Sequence, residues 1–325
     1  MVGIGGLLEY SKTTTIDNGP VLRHLNITSE NNGVDYTSLN FGEEWEDCFK
    51  GKHKVLIDDL KLVSPQEIWE KVKLGSSKNS DYEYPNSCSD GTSFSCQLRC
   101  PTCREDVVKY KEYGRMGEAW DWVAKLLNDP RLNRLTIGCH GETFYNKHRI
   151  QYLRTLSKEV IDSKGMISIC TNGLNLTPPM WRSFTTLKAN PEVMDIRISL
   201  DAANKETFAI TRPTANWDKL INNIKYLSKQ GIGQLALDFT VQTINFREMV
   251  EFSKLANSLG CQSIIRPIYN WYWDKERFKE AAVWQKSHKL FPEFLEFLQE
   301  ASKTEGCYSL YQLKDYLTTP CGEPA

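Results

Sequence analysis

From Gly91 onward the chain alternates short β-prone runs with longer stretches of helical spacing. Residues 135–139, 166–171, 195–200, 235–242 and 263–267 are rich in aliphatic and β-branched side chains and read as strands. Helices are expected near 149–163, 217–230 and 246–259, with Gly231 and Gly260 stopping the last two in the C-cap role. Repeated βα units of this kind imply a parallel sheet or a barrel.

Assigning alternate strand residues to opposite faces exposes a further regularity. Ile196, Ile198 and Leu200 oppose Arg197, Ser199 and Asp201, while Leu235, Leu237, Phe239 and Val241 oppose Ala236, Asp238, Thr240 and Gln242. Residues 166–171 place Ile167 and Ile169 against Ser168, Cys170 and the following Asn172; residues 135–139 place Leu135, Ile137 and Cys139 against Thr136, Gly138 and the following His140. A closed eight-stranded barrel fills its interior with apolar side chains and a doubly wound sheet buries both faces, so one polar face throughout implies an open lumen for a polar ligand. Counting the β-prone residues 92–94, the strands number about six, too few for closure. The expected architecture is α/β, a partial (β/α)6 TIM-like barrel over 89–273.

On either side of this core the pattern changes. Residues 1–88 carry mixed signals: strands near 21–25 and 54–57, a helix over 64–72 with Ser64 as N-cap and Pro65 at its first position, then a polar stretch. They read as an N-terminal module and linker. Residues 274–325 read as a C-terminal segment with one or two amphipathic helices and a Pro320-Cys321-Gly322 tail.

The 325 residues include 40 basic and 41 acidic side chains, a formal net charge of −1, so no global field draws the chain to nucleic acid or an anionic membrane. No run approaches the roughly 18 apolar residues of a membrane span. The opening ten residues lack a basic flank and a long apolar core, so no secretory signal is read there and a cytoplasmic protein is expected. In that compartment thiols stay reduced, which argues against a disulfide framework for the ten cysteines. Seven are scattered, but Cys96, Cys100 and Cys103 fall within eight residues.

Three thiolates in C-x3-C-x2-C spacing on a loop can serve soft metals. A four-iron cluster takes one ligand per iron, leaving one iron open to an exogenous group. A structural zinc site would recruit a fourth cysteine, with Cys88 the nearest; a redox dithiol would use Cys100 and Cys103 and leave Cys96 idle. Spacing alone leaves all three readings open.

Residues 96–103, Cys-Gln-Leu-Arg-Cys-Pro-Thr-Cys, resemble the cluster loop of radical S-adenosylmethionine (SAM) enzymes. Further elements resemble that family in order, from Ser95 to about Asn270: His140-Gly141-Glu142 where it has Gly-Gly-Glu, then Thr171-Asn172-Gly173, Ser199-Leu200-Asp201 and Arg212. Two positions depart from the family pattern, His140 for the first glycine and Thr102 where an aromatic residue is common. The resemblance implies the same partial barrel, with ligands at the carboxyl ends of its strands.

It also implies cofactors and roles. Cys96, Cys100 and Cys103 would bind three irons of a 4Fe-4S cluster, with SAM on the fourth; Gly141-Glu142 would face the methionine ammonium and Arg212 its carboxylate through a forked hydrogen bond. Asn172, Ser199 and Asp201 would complete the cofactor site, the last two toward ribose hydroxyls. Alternative readings make Glu142 a helix cap and Arg212 a surface residue. Asp238, Thr240, Gln242 and Arg266 are candidate substrate contacts, and Trp271, Tyr272 and Trp273 a candidate lid. The Thr-Asn-Gly corner, the Ser-Leu-Asp strand end and Asn245 before the following helix resemble the peptide- and cofactor-maturing (SPASM/twitch-like) branch. This likeness implies a low-potential electron donor such as flavodoxin or ferredoxin and a peptide or protein substrate held by the N-terminal module; a small molecule or nucleotide is the alternative. An auxiliary cluster would need Cys307 and Cys321 joined by Cys261, Cys48 or Cys88. The competing non-enzymatic class is a zinc-binding module.

Overall fold

The computed structural model describes residues 6–10, 23–28, 39–40, 87–91, 96–103, 124, 127–130, 132–138, 141–269 and 275–318. The expected elements at 54–57 and 64–72, the strand at 92–94 and the aromatic triplet 271–273 lie outside them. The chain divides into two compact units, the first comprising residues 1–96, 108–170 and 182–194 and the second residues 97–107, 171–181 and 195–325.

In the first unit the strands are β1 (Gly6–Tyr10), β2 (Arg23–Thr28), β3 (Leu39–Asn40), β4 (Ser87–Gly91), β5 (Arg134–Ile137) and β6 (Met166–Thr171). The pairs β4–β5 and β5–β6 are parallel, whereas β2 lies antiparallel to both β1 and β4. The single helix expected at 149–163 is two, α1 (Lys147–Thr155) and α2 (Lys158–Asp162). Leu156 leaves helical geometry with ψ 124°, and the Ser157 hydroxyl accepts from Val160 N to start a new helix. A serine hydroxyl offers the backbone this alternative partner wherever it sits, which is why it breaks a run whose apolar spacing continues. Along the chain β6 is followed by short α3 (Pro178–Arg182), which up to Trp181 belongs to the second unit, and by α4 (Thr185–Ala189) of the first.

In the second unit β7 (Met194–Ser199), β8 (Gln234–Val241), β9 (Gln262–Pro267) and a short β10 (Cys307–Ser309) pair in parallel. Its helices are α5 (Lys205–Thr211), α6 (Trp217–Leu227), α7 (Met249–Ser258), α8 (Lys275–Ala281), α9 (Phe291–Ser302) and α10 (Asp315–Thr318). Gly231 and Gly260 take positive φ, 72° and 71°, as helix-stopping glycines do. Strand β10 is absent from the sequence expectation for 274–325, because three residues are too few to show an alternation.

The apolar face is observed as expected, with Ile196, Ile198, Leu237, Phe239 and Val241 fully buried; on the polar face Arg197, Ser199, Thr240 and Arg266 are half-buried, whereas Ala236, Asp238, Gln242 and Asp201 are buried as well. Helix α6 presents Leu220, Ile224 and Leu227, and α9 presents Phe294, Leu298 and Ala301, one turn or two apart and fully buried. Phe239 of β8 meets Phe252 of α7 with ring centroids 4.7 Å apart. Each such side chain contributes about 1.5–3 kcal/mol by leaving water, which drives the helices onto the apolar faces. The polar faces are left as the surface on which ligand chemistry is possible. The first unit thus supplies three parallel strands, β4–β6, and the second three more, β7–β9, with helices between consecutive strands from β5 onward, the α/β complement of an unclosed partial barrel.

Candidate functional site: a thiolate loop beside a buried arginine

In the second unit the cluster loop turns at Cys100, whose carbonyl accepts from Cys103 N at 3.0 Å. Cys100 is buried and Cys103 exposed; Cys96, the last residue of the first unit's opening segment, is half-buried. Gln97, unremarked in the sequence apart from its place in the loop, donates Nε2 to Asn172 Oδ1 at 3.3 Å, tying the loop to the Thr-Asn-Gly corner after β6. Asn172 Oδ1 also accepts Leu174 N at 3.1 Å in a turn that Asn forms readily. Gly173 has φ 74°, and a Cβ there would stand 2.6 Å from Leu220 Cδ1, so the corner needs glycine for both backbone and space.

Arg212 follows α5 directly and is 9% exposed, not a surface residue. Its Nη2 donates to Asp201 Oδ2 at 2.5 Å, and its Nη1 lies 3.9 Å from Cys100 Sγ. The remaining donor, Nε, is buried without a hydrogen-bond partner. Burial, the strongest influence, pulls the guanidinium's pKa down, but the charges of Asp201, Cys100 and Cys103 more than reverse this and leave it above its ordinary value. The site therefore holds a permanent cation beside thiols.

Asp201 is committed elsewhere than expected. Oδ2 holds Arg212 and Oδ1 accepts Thr240 N at 2.8 Å, so this carboxylate works through the arginine and the end of β8. It adopts φ 58°, a left-handed geometry that aspartate tolerates better than most side chains. Asn245 secures the same corner, its Nδ2 donating to Asp201 O and Thr240 O, both at 3.0 Å, and its Oδ1 accepting Gln242 N at 2.8 Å. Arg277 of α8 donates Nη2 to Pro101 O at 3.1 Å, a contact that no periodicity signals. Ser199 ends β7 half-buried, its Cα paired with Asp238 of β8.

In the first unit Glu142 is buried and caps the following turn, its Oε1 accepting Phe144 N at 3.0 Å, the capping alternative read from sequence. Gly141 before it has φ 68°. His140 lies outside the described residues.

Among the described residues no three His, Cys, Asp or Glu side chains gather around a single metal point. Thiolates that each take a separate iron have no need to converge so closely. Three soft sulfur donors on one loop, next to a buried cation with an unused N–H, fit an iron–sulfur cluster carrying an anionic ligand. A carboxylate is the group such an arginine takes most readily.

Cys261 and Cys307, outside the loop, are of another kind. Burial pushes the Cys261 thiol up to about 12 and raises that of Cys307. Cys48 and Cys321 lie outside the described residues. A thiol held protonated is a poor metal ligand, so Cys261 is expected to resist iodoacetamide at pH 8 in the folded protein while Cys103 of the cluster-free protein reacts, as peptide mass mapping would reveal. The stability linked to Cys261 is full below the unfolded value of 9.0 and is lost as the pH climbs toward 12.

The fold and the loop together define an α/β enzyme of the iron–sulfur type. The family model of the Radical SAM superfamily matches residues 92–256, half of the chain, and the chain belongs to that superfamily, whose enzymes use a 4Fe-4S cluster and SAM and draw on a reductant. It is similar to the mycofactocin maturase MftC of Mycobacterium tuberculosis, 27% identical over 94 residues, or 29% of this chain. That stretch spans 23% of the maturase's own length. A structure of TYW1 with a lysine-pyruvate adduct aligns at TM-score 0.43 and 13% identity, covering 68% of this chain and 74% of that one. A radical SAM methyltransferase from Sphaerobacter thermophilus aligns at TM-score 0.47 and 17% identity, covering 71% and 69%.

Proposed function

We propose that this chain cleaves SAM reductively and abstracts hydrogen from a peptide or protein side chain. The cluster and SAM, when bound, supply the one-electron scission that yields methionine and a 5′-deoxyadenosyl radical. Cys96, Cys100 and Cys103 would hold the cluster, with Gly141 and Glu142 at the methionine ammonium, Arg212 at its carboxylate, and Asn172 and Ser199 toward the nucleoside. Asp201 acts as the counter-charge that orients Arg212, with both its oxygens already engaged. The observation that carries the reading is the buried Arg212, 3.9 Å from Cys100 Sγ with Nε unpartnered. Burial of Cys100, Asp201 and Arg212 would keep water from that side of the reacting centre.

The peptide reading draws on the partial likeness to a maturase and on a net charge of −1, which gives a long polyanion no global field to follow. The electron would come from a flavodoxin or ferredoxin, and a reducing cytoplasm suits both partners. No helix among the described residues is long and apolar enough to cross a membrane.

Anaerobic reconstitution followed by reduction with dithionite tests the central step. Methionine and 5′-deoxyadenosine are expected in equal amounts by chromatography. Stoichiometric tight zinc without sulfide, and no deoxyadenosine, would sink the reading in favour of a zinc module.

A further inference from the structure

Beyond the cluster loop, the polar face of β8 and β9 carries charged and amide groups that the chemistry above does not use. Asp238 is 7% exposed; its Oδ2 accepts Arg266 Nη2 at 2.6 Å, and its Oδ1 is buried without a hydrogen-bond partner. Gln242 is 6% exposed, and its Nε2 is likewise buried and unpartnered. A buried polar atom left unmatched costs about 1–3 kcal/mol, so a fold keeps two on one strand face only where something else gains from them. Arg266 pairs in register with Thr240 between them, and its guanidinium lies 5.2 Å from the Tyr311 ring centroid. Tyr269, just past β9, is partly exposed and donates its hydroxyl to Gln312 Oε1 at 3.3 Å.

We infer that Asp238 and Gln242, framed by Arg266 and Tyr311, form the substrate-anchoring subsite, and that it takes a neutral side chain tipped by a hydrogen-bond donor, a hydroxyl or a carboxamide. This rests on the peptide reading above and narrows it. Asp238 offers an acceptor and Gln242 a donor. Four residues of strand separate their Cα atoms by about 13 Å, and their side chains shorten that to the span from a residue's tip to its own main-chain carbonyl. The Asp238–Arg266 pair is close to neutral. An ammonium tip would have to share Asp238 with a guanidinium, and a carboxylate or phosphate tip would meet the bare Oδ1. The aromatic wall of Tyr311 suits the aliphatic stem or the amide plane of the guest.

The test uses the reconstituted full chain and blocked amino acids as probes: N-acetyl methylamides of serine, glutamine, alanine, glutamate and lysine, followed by saturation-transfer NMR. The serine and glutamine probes are expected to bind, and Asp238→Asn and Gln242→Met to weaken them about tenfold. Gln242→Met should also hold or raise the melting temperature, because it removes a polar atom that bonds to nothing; a fall would mark a structural role and overturn the assignment. Equal binding of all five probes, or of none, overturns it as well. The same variants are titrated with S-adenosylhomocysteine, and a greater loss there than for the probes transfers Asp238 to the nucleoside beside Ser199 and ends the proposal. Failure of deoxyadenosine formation in the wild type removes the underlying reading instead, so the two failures are distinguishable.

Discussion

Alanine at Cys96, Cys100 and Cys103 together takes bound iron from about four per chain to background and abolishes deoxyadenosine formation. The reason is local. Each thiolate would serve a separate iron, and the nearest other cysteine in sequence, Cys88, belongs to strand β4 and not to the loop, so no substitute ligand is expected. The change costs the fold little, because Cys103 is exposed and Cys96 only half-buried; Cys100 alone gives up buried contacts. Iron and acid-labile sulfide analysis, with circular dichroism as the control, decides the matter. A triple variant that retains the wild-type iron content would remove the cysteine loop from the site.

The second large effect concerns Arg212→Met, which keeps the side-chain volume and removes the cation. Asp201, its side chain 2% exposed, then stays buried with Thr240 N as its remaining side-chain hydrogen-bond donor among the described residues. Breaking a buried pair from one side costs about 3–5 kcal/mol, because the surviving charge is uncompensated. The melting temperature should fall by on the order of 10 °C. Adding Asp201→Asn should recover most of that loss, since a neutral amide tolerates the same surroundings. Scanning calorimetry on the wild type, the single variant and the double variant measures it. Additive losses in the double variant would show that the pair does not act as a unit.

The strands were legible because their faces differ in solvent. Residues 166–171 coincide with β6, and β7, β8 and β9 begin one residue earlier than the alternation suggests. Less legible were the breaks and the short elements. The helix boundary at Leu156 and Ser157 depends on one hydroxyl choosing a backbone partner, and α3, α4 and α5 are too short to establish a period. Of the candidate site, the cysteines and the polar strand ends stood out by spacing and phase. What the spacing hides is who pairs with whom. Asp201 and Arg212 were each read toward a ligand, yet they meet one another across the whole of α5. Such pairing depends on where a helix returns the chain, which no period in the sequence encodes.

The end of a strand is ordinarily where a sheet frays, since its last amides have lost their neighbours. At β8 the opposite holds. The Asn245 carboxamide takes both Thr240 O and Gln242 N, and Thr240 N is claimed by Asp201. Proton exchange at Thr240 and Gln242 therefore requires the Asp201, Arg212 and Asn245 corner to open as one cooperative unit, not the detachment of a single terminal bond. The strand tip next to the subsite thus belongs to the slow-opening part of the molecule, and a guest meets a wall that is already rigid when it arrives.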